Sequence, residues 1–269
     1  MKSIAEKRKA FRKLHETGCF VIPNPWDVGS ARVLEHLGFA ALATTSSGHA
    51  WSLGKADYGV TLEDALRYFR AVSAAVDVPI NADFEAGFAA DAEEVATNVT
   101  RAIATGIAGV SIEDRDVATG GLYDKATSLA RLRAARQAID RSGEDVMLIA
   151  RTEGLLDDAS QIAPAIDKLV AFAAEGADCL YAPGVWKTED IAAMVKAVAP
   201  RPVNVLVMKP DRTVKELADL GVRRLSVGGS LARVGWAPVL KAAEGMMNGS
   251  FAGFEGAAPG SRMNKMLGG

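Results

Sequence analysis

The strongest constraint on the fold is a repeat, in which short apolar runs alternate with longer amphipathic segments along most of the chain. The pattern of strand, loop and helix recurs about eight times within 269 residues. Several predicted helices end at a glycine just before the next strand, namely Gly38, Gly106, Gly176 and Gly221. Because short apolar strands that alternate with helices form parallel sheets covered by helices, the chain is predicted to have an α/β fold.

The number of repeats distinguishes between two α/β architectures. Eight strand–helix units favour a single closed (β/α)8 TIM barrel, whereas a doubly wound sheet usually has fewer units and a glycine-rich phosphate-binding turn after its first strand. No GxGxxG sequence follows the first predicted strand, Cys19–Pro23. We therefore predict one barrel domain over residues 1–269, with a glycine-rich tail, 251–269, that contacts a lid or a partner subunit.

Composition and charge restrict what the protein binds. Lys and Arg total 31 and Asp and Glu total 33, so the net charge of -2 offers no basic surface to nucleic acid or anionic lipid. Residues 1–16 lack the apolar core of a signal peptide, and no apolar run reaches membrane-spanning length. Cys19 and Cys179 are widely separated and are expected to be buried thiols. We expect a cytoplasmic protein that binds a small molecule, without nucleic-acid or membrane partners.

Polar residues follow four consecutive predicted strands. The carboxyl ends of the strands of a barrel meet at one mouth, so these residues are expected to converge. They are Thr44–Gly48 after strand two, Asp83 and Glu85 after strand three, Glu113 and Asp114 after strand four, and Arg151 and Glu153 after strand five, with Asp57 in the loop after strand two. The sequence therefore predicts one polar site at the mouth.

Four of these acids, Asp57, Asp83, Glu85 and Glu113, predict a metal site. Their oxygen atoms suit Mg²⁺ or Mn²⁺, and no His/Cys cluster is present for zinc. Without a cation, mutual repulsion would raise the pKa values of four neighbouring carboxyls. Each acid alone could instead be a solvated loop end or a helix cap, and such a cap is the interpretation we favour for Asp91.

Two further features suit an anionic substrate. Arg151 can bind a carboxylate or phosphonate in a bidentate manner, although it could instead only neutralise an acid. The Thr45-Ser46-Ser47-Gly48 turn offers hydroxyls and backbone N–H groups to a second anionic group, although it could be an ordinary polar turn. Lys209 could form a Schiff base as in a metal-free aldolase, but a loop lysine before proline is ordinarily solvated.

Six motifs in this order resemble the isocitrate lyase and phosphoenolpyruvate mutase superfamily over about residues 11–236. They are Asn24-Pro-Trp-Asp-Val-Gly-Ser-Ala31, Thr44–Gly48, Ser52-Leu-Gly-Lys-Ala-Asp57, Asp83-Phe-Glu85-Ala-Gly87, Ser111-Ile-Glu113-Asp114 and Ala150-Arg151-Thr-Glu153. The resemblance implies direct Mg²⁺ binding by Asp83, with Asp57, Glu85 and Glu113 holding its waters or completing its shell. It also implies that Arg151 binds the substrate carboxylate, and that Thr45, Ser46 and Ser47 bind the other end of the substrate. It further implies a dimer or tetramer that exchanges a C-terminal helix between subunits.

The loop at residues 115–127 departs from the patterns that separate the superfamily's reactions. It reads Arg115-Asp-Val-Ala-Thr-Gly-Gly-Leu-Tyr-Asp124, without the cysteine of the isocitrate lyases. The lysine and asparagine of the mutases and of phosphonopyruvate hydrolase fall near Thr119 and Gly121 here. The lyases' glutamate at the end of strand six is also absent, where this chain has Tyr181-Ala-Pro183-Gly184. We expect this loop to be mobile.

The resemblance and the loop together favour one reaction class. The expected enzyme is a Mg²⁺-dependent carbon–carbon lyase or decarboxylase acting on a small 2-oxo or 2-hydroxy carboxylate, such as oxaloacetate or a substituted malate. This reaction class is favoured because stabilisation of the enolate does most of the work and requires little of the loop at residues 115–127. Arg151 and Glu113 are the expected catalytic residues. The alternatives are a phosphonomutase or hydrolase acting on phosphonopyruvate or a carboxyphosphonate, and a barrel that binds metal but has lost turnover.

Overall fold

Ten short strands are present in the computed structural model, which describes residues 2–268, and eight of them form a single parallel sheet. The strands are β1 (Phe20–Ile22), β2 (Leu42–Ala43), β3 (Ile80–Asp83), β4 (Gly109–Glu113), β5 (Arg115–Asp116), β6 (Gly121–Leu122), β7 (Met147–Arg151), β8 (Cys179–Tyr181), β9 (Val203–Leu206) and β10 (Arg224–Ser226). The parallel sheet has the order β1-β10-β9-β8-β7-β4-β3-β2, and β5 and β6 pair separately as an antiparallel hairpin. The N–H group of Ala43 donates to the carbonyl oxygen of Pro23 at 3.1 Å, which brings the two edges of the parallel sheet together. The predicted (β/α)8 barrel is confirmed.

Helices surround the barrel and connect its strands. They are α1 (Ile4–Leu14), α2 (Val28–His36), α3 (Ser46–Ser52), α4 (Leu62–Ala75), α5 (Ala92–Ile103), α6 (Lys125–Ser142), α7 (Gly154–Asp157), α8 (Ile162–Ala174), α9 (Thr188–Val198), α10 (Val214–Asp219), α11 (Ser230–Met247) and α12 (Gly260–Leu267), with a 3₁₀ turn at Ala252–Phe254. Among residues 2–268, no helix has the length and apolar character needed to cross a membrane.

Glycines and capping side chains set the helix boundaries. The four glycines predicted to follow helices have positive φ values of 86° to 93°, which glycine adopts at little cost: Gly38, Gly106, Gly176 and Gly221. Asp91 caps α5, because its Oδ1 accepts the N–H groups of Glu93 at 2.7 Å and of Glu94 at 3.2 Å. The cap prediction for Asp91 is therefore confirmed.

The apolar core has two layers that follow from the alternation of side chains along each strand. The larger layer lies between the sheet and the helices and includes Phe84, Val110 and Leu148. The smaller layer includes Ile149 of the barrel interior and Phe11 of α1, both fully buried. A Cβ on Gly109 would come within 2.7 Å of the Phe11 ring, so the approach of α1 to this strand requires glycine at that position.

Two local predictions differ from the structure, and the prediction for the tail is not tested by it. The segment at residues 45–48 is not an isolated turn: Thr45 caps α3, and its Oγ1 accepts the N–H of Gly48 at 3.3 Å. The loop at residues 115–127 contains the β5–β6 hairpin, and α6 begins inside it at Lys125. In the tail, α12 packs against α2 of the same chain, where Arg32 Nη1 donates to the carbonyl oxygen of Leu267 at 3.3 Å. The contact of the tail with a lid or a partner subunit, and the exchange of a helix between subunits, stay predictions.

Candidate active site

The carboxyl ends of three neighbouring strands place acids and an arginine side by side at the barrel mouth. β3, β4 and β7 are adjacent in the sheet, and their register pairs Asp83 with Ser111 and Glu113 with Arg151. Salt bridges of 3.3 Å join Arg151 Nη1 to carboxylate oxygens of both Asp83 and Glu113. The predicted convergence of these three residues is therefore present in the fold.

Arg151 is the central cation of the mouth, with its side chain 16% exposed. Nε and Nη2 make paired contacts with the Glu153 carboxylate, the second at 3.0 Å, and the Tyr181 ring centre lies 5.2 Å from the guanidinium carbon. Burial lowers the pKa of Arg151, but the carboxylates of Glu153 and Glu113 outweigh this and raise it above its ordinary value. The paired contacts fix the guanidinium plane. Nη1 makes two longer contacts, to Asp83 and Glu113, each at 3.3 Å. It is therefore the nitrogen best placed to release one of these acids and bind a substrate carboxylate instead.

Glu153 has a supporting role that the sequence did not reveal. Its side chain is 1% exposed, and its backbone N–H donates to Asp114 Oδ1 at 2.9 Å. Asp114 Oδ2 accepts from Thr152 Oγ1 and from Lys168 Nζ, each at 2.7 Å. Asp114 was grouped with Glu113 in the sequence, but adjacent strand residues point to opposite faces, and Asp114 contacts Lys168 of α8 instead. Asp114 therefore helps to fix Glu153, which in turn orients Arg151.

Asp83 is held by the segment that was predicted to bind the substrate's second anionic group. Its Oδ2 accepts both the N–H and the hydroxyl of Ser46 at 2.9 Å, and its N–H donates to Thr44 Oγ1 at 2.7 Å. The Ser47 hydroxyl contacts Thr45 Oγ1 at 3.2 Å. The donors of Ser46 therefore orient Asp83, and among residues 2–268 the Ser47 hydroxyl is not bonded to any of these acids.

Backbone strain is concentrated beside the acids. The non-glycine residues with positive φ among residues 2–268 are Tyr58 at 59°, Glu85 at 46° and Phe88 at 54°. A bulky residue in this region is a conformational outlier, and such strain tends to persist where function requires it. Tyr58 follows the predicted ligand Asp57 directly, and its hydroxyl donates to Glu113 Oε1 at 2.8 Å. Of the three strained residues, Glu85 was predicted to belong to the site, and Tyr58 was not predicted but contacts Glu113, which was.

Burial and neighbouring charges raise the pKa values of three acids of the mouth. Burial, together with the charges of Asp83, Glu113 and Asp57, raises the pKa of Glu85 to about 9. Burial also raises the pKa of Glu113 to about 8, with Arg151 opposing and Glu153 adding to the rise. Burial likewise raises the pKa of Asp57. These shifts have the direction expected for carboxyls crowded together without sufficient cationic charge.

The donor set fits the predicted divalent cation. Glu85 is 5% exposed, and its Oε1 has no hydrogen-bond partner, which is costly for a buried polar atom unless something else binds there. All four predicted ligands carry oxygen donors, as Mg²⁺ and Mn²⁺ prefer. Within residues 2–268 no three His, Cys, Asp or Glu side chains already form a metal-binding group. Arg151 instead lies between Asp83 and Glu113, so the assignment of Asp57, Asp83, Glu85 and Glu113 as ligands stays a prediction.

The raised pKa values predict how metal-free stability depends on pH. Glu85 and Glu113 keep protons in the folded chain up to about pH 9 and 8, against an ordinary pKa of 4.5 when unfolded. Between pH 4.5 and these higher pKa values the folded state therefore binds more protons than the unfolded state. The stability that these two groups contribute is greatest below pH 4.5 and is lost as the pH rises through their folded-state pKa values. A bound cation should offset this loss, because metal binding displaces these protons.

We expect the melting temperature in EDTA to fall between about pH 6 and 9, and the increase caused by Mg²⁺ to grow over the same range. Thermal denaturation in matched buffers of equal ionic strength, with Ca²⁺-free Mg²⁺ or EDTA, measures both quantities. A Mg²⁺ effect that stays constant with pH would contradict the assignment of these carboxyls to the metal site.

The β5–β6 hairpin stands at the rim of this mouth and is fixed at both ends. Arg115 makes two contacts with the Asp157 carboxylate, at 2.7 and 3.0 Å. The Tyr123 N–H donates to the Asp114 carbonyl oxygen at 2.9 Å, and the Arg131 guanidinium lies 4.2 Å from the Tyr123 ring centre. The residues between these anchors, 117–122, are exposed. The mobility expected for this loop stays a prediction.

Comparison with protein families decides the wider assignment. The family model described as phosphoenolpyruvate phosphomutase matches residues 11–247. The chain belongs to this family. The match covers all eight barrel strands and every residue of the candidate site.

Three proteins of known structure or activity are similar to this chain over most of its length. A crystal structure from Burkholderia cenocepacia J2315, assigned provisionally as a lyase/mutase, is 39% identical, covers 99% of this chain and 98% of its own, and has a TM-score of 0.95. Oxaloacetate acetylhydrolase, solved with its product oxalate, is 27% identical with a TM-score of 0.87, covering 100% of this chain and 96% of its own. An oxaloacetate decarboxylase of Rhodopseudomonas palustris strain BisB5 is 27% identical over 94% of this chain and 86% of its own length. The predicted superfamily is thus confirmed, and the chain is an enzyme of this superfamily.

Proposed function

We propose that the protein is a Mg²⁺-dependent carbon–carbon lyase or decarboxylase that acts on a small 2-oxo or 2-hydroxy dicarboxylate. The observation that carries this proposal is the position of Arg151 Nη1, 3.3 Å from both Asp83 and Glu113 and held in one plane by Glu153. A fixed arginine beside oxygen ligands suits a substrate carboxylate next to a carbonyl or hydroxyl group. Mn²⁺ would serve in place of Mg²⁺, since both ions prefer oxygen donors.

The chain's own residues account for binding and for stabilisation of charge. Arg151 would exchange its long contacts for the substrate carboxylate, with Glu153 keeping the guanidinium plane fixed. Asp57, Asp83, Glu85 and Glu113 would hold the cation, which when bound supplies positive charge to the substrate's oxygen atoms. The carbon–carbon bond would then break with its electron pair left on the retained fragment as an enolate, whose charge Arg151 would face. The other fragment would leave as CO₂ in a decarboxylation, or as a 2-oxo acid when a 2-hydroxy substrate loses its hydroxyl proton to solvent. A proton added at carbon completes the product.

Thr45, Ser46 and Ser47 are proposed to contact the substrate's other end. Ser46 already donates twice to Asp83, so it would have to exchange one of these bonds to contact the substrate and would otherwise orient that carboxylate. Within residues 2–268 the Ser47 hydroxyl is bonded only to Thr45 Oγ1, so it is the donor of the three best able to reach a substrate. The activities named for two relatives, oxaloacetate decarboxylase and oxaloacetate acetylhydrolase, support a substrate of the oxaloacetate type.

A phosphonomutase or hydrolase is the second candidate, and the family model's own description favours it. The hairpin weakens this candidate, because Thr119 and Gly121 occupy the positions near which the mutases carry their lysine and asparagine. Both residues are exposed, and the Thr119 hydroxyl bonds Asp116 within the hairpin at 2.7 Å. A binding barrel without turnover is the third candidate.

One experiment separates these candidates. ¹H and ³¹P NMR would follow the protein with Mg²⁺ and a mixture of oxaloacetate, isocitrate, 2-methylisocitrate, phosphonopyruvate and phosphoenolpyruvate. A lyase or decarboxylase converts one substrate into two products, whereas a mutase moves phosphorus between carbon and oxygen. The protein-free mixture and the Asp83→Asn variant correct for spontaneous decarboxylation. An untouched mixture, with oxalate still bound in the presence of metal, would overturn the proposal in favour of the binding barrel.

We also propose that the protein forms a homodimer or homotetramer in the cytoplasm. The C-terminal part of α11 and the following 3₁₀ turn expose large apolar side chains, including Val239 at 54%, Leu240 at 58%, Met247 at 87% and Phe251 at 67%. Several large apolar side chains exposed on one segment of the chain are typical of an interface between subunits. Sedimentation velocity should show a dimer or tetramer that Leu240→Asp dissociates, and a monomeric wild-type protein would refute it.

A further inference from the structure

Tyr58 occupies a backbone position that would ordinarily belong to glycine. It is the third residue of a turn closed by the Gly59 N–H, which donates to the Ala56 carbonyl oxygen at 3.0 Å. The φ value of Tyr58 is 59°, and turns that require positive φ at this position strongly prefer glycine or asparagine. An aromatic residue is unfavourable at this φ value, so its presence indicates that the side chain of Tyr58 has a function of its own.

The side chain of Tyr58 links two separate parts of the mouth. It leaves the turn at residues 56–59 and reaches the end of β4, where its hydroxyl donates to Glu113 Oε1 at 2.8 Å. Glu113 is 4% exposed, and its other oxygen, Oε2, faces Arg151 Nη1. The bond from Tyr58 therefore satisfies the one side of this buried carboxyl that Arg151 does not reach.

The same turn carries Asp57, a predicted ligand of the cation. Asp57 Oδ1 accepts the Tyr58 N–H at 3.0 Å. Beyond the effect of burial, the charge of Asp83 helps to raise the pKa of Asp57 and the charge of Asp57 helps to raise the pKa of Glu85, so the three carboxyls lie near one another. Asp57 comes from a loop rather than from a barrel strand, so the sheet does not fix its position. The only side-chain bond from this turn to the strand ends is that of Tyr58 to Glu113 among residues 2–268.

We propose that Tyr58 is a positioning residue of the active site: its bond to Glu113 holds the turn at residues 56–59 over the mouth and so places Asp57 beside Asp83 and Glu85. The inference rests on the proposed function, because it assigns Tyr58 a role toward the predicted cation site. It explains why a strained tyrosine stands where glycine would relieve the backbone. It also explains how a loop residue can contribute to a site otherwise built on strands.

Two substitutions separate this role from a general structural one. Tyr58→Phe keeps the ring and removes the hydroxyl, whereas Tyr58→Gly removes the side chain and relieves the positive φ. Groups that orient metal ligands typically change metal affinity or activity by about 10- to 100-fold when they are lost. We expect both variants to bind Mn²⁺ about tenfold or more weakly, with kcat lowered and the KM for the carboxylate substrate within about twofold of wild type, because Arg151 is untouched.

Tyr68→Phe is the matched control. It also removes a hydroxyl that has a partner, since Tyr68 donates to the Pro25 carbonyl oxygen, but that bond involves neither Glu113 nor the turn at residues 56–59. We expect it to lower the melting temperature and to leave Mn²⁺ affinity unchanged. Tyr58→Gly should behave in the opposite way, with metal-free stability kept and Mn²⁺ affinity reduced. Amide hydrogen exchange in the metal-free protein should rise over residues 55–60 in both Tyr58 variants and not in the control.

Mn²⁺ binding, followed by electron paramagnetic resonance, gives a readout independent of turnover. If the wild-type protein binds Mn²⁺ and both Tyr58 variants bind it equally well, the positioning role is overturned while the proposed function stands. If the wild-type protein does not bind Mn²⁺, the proposed function itself fails. Weaker Mn²⁺ binding by both variants, together with faster exchange of the turn, supports the positioning role.

Discussion

Arg151→Lys should lower kcat/KM by about 10²- to 10³-fold, one of the two largest effects expected from a single substitution in this protein. Lysine keeps the positive charge but cannot make the paired contacts by which Nε and Nη2 hold the Glu153 carboxylate. It also cannot present a fixed nitrogen to Asp83, Glu113 and a substrate carboxylate at once. The loss should therefore appear in both kcat and KM, since Arg151 is proposed to bind the substrate and to face the developing enolate charge.

Lysine is a better test than alanine at this position. Arg151→Ala would remove the guanidinium and leave Glu153, 1% exposed, as a buried charge without its partner. Breaking such a buried pair typically costs about 3 to 5 kcal/mol of folding stability. Arg133→Lys is the control, because Arg133 makes a similar paired contact with Glu175 on the surface. Surface pairs contribute little, so that variant should retain wild-type kinetics. Steady-state kinetics of Arg151→Lys within threefold of wild type would exclude Arg151 as the substrate clamp.

The parts of the fold that depend on periodicity could be predicted from the sequence. Alternation along β3, β4 and β7 places Asp83, Glu113 and Arg151 on one face, and the geometry of a closed parallel barrel then brings them to one mouth. Glycines with positive φ mark the helix ends as expected, as at Gly38 and Gly176. These features depend on local rules that neighbouring elements reinforce, which is why a single sequence contains them.

Other features depend on contacts between distant residues, for which a single sequence carries no periodic signal. The serines after Thr45 resemble a polar turn, and only their bonds to Asp83 and the capping of α3 explain why the segment is helical. Arg224 has the pattern of an ordinary strand residue but is 2% exposed in the barrel, where its Nε donates to Asn204 Oδ1 at 2.8 Å. The link from Tyr58 to Glu113 spans 55 residues of sequence. No local pattern singles out Tyr58 either, because the adjacent Gly59 is the residue expected to take the positive φ of a turn.

Asp83→Asn should abolish the thermal shift caused by Mg²⁺ and lower kcat by about 10³-fold, since the charge stabilisation supplied by a bound cation amounts to several kcal/mol. Asparagine can still accept the two bonds from Ser46 through its amide oxygen, so the local geometry should survive. Its NH₂ group, however, would face the donor Nη1 of Arg151, now 3.3 Å from a carboxylate oxygen. The substitution therefore removes a proposed ligand and one of the arginine's partners with little change in shape.

The same substitution should preserve or raise the stability of the metal-free protein, which distinguishes lost function from lost folding. Asp83 is the neighbouring charge that contributes most to raising the pKa of Glu85, so its neutralisation relieves repulsion among the buried acids. We expect a melting temperature in EDTA at pH 8 equal to or above that of wild type. Asp91→Asn, a conservative change at the α5 cap, is the control and should leave the Mg²⁺ shift intact. An Asp83→Asn protein that melts earlier in EDTA yet keeps its Mg²⁺ shift would mean that Asp83 serves the fold. An Asp83→Asn protein that melts at the same or a higher temperature in EDTA and loses its Mg²⁺ shift would mean that the acids lower the stability of the metal-free protein because they are arranged to bind a cation.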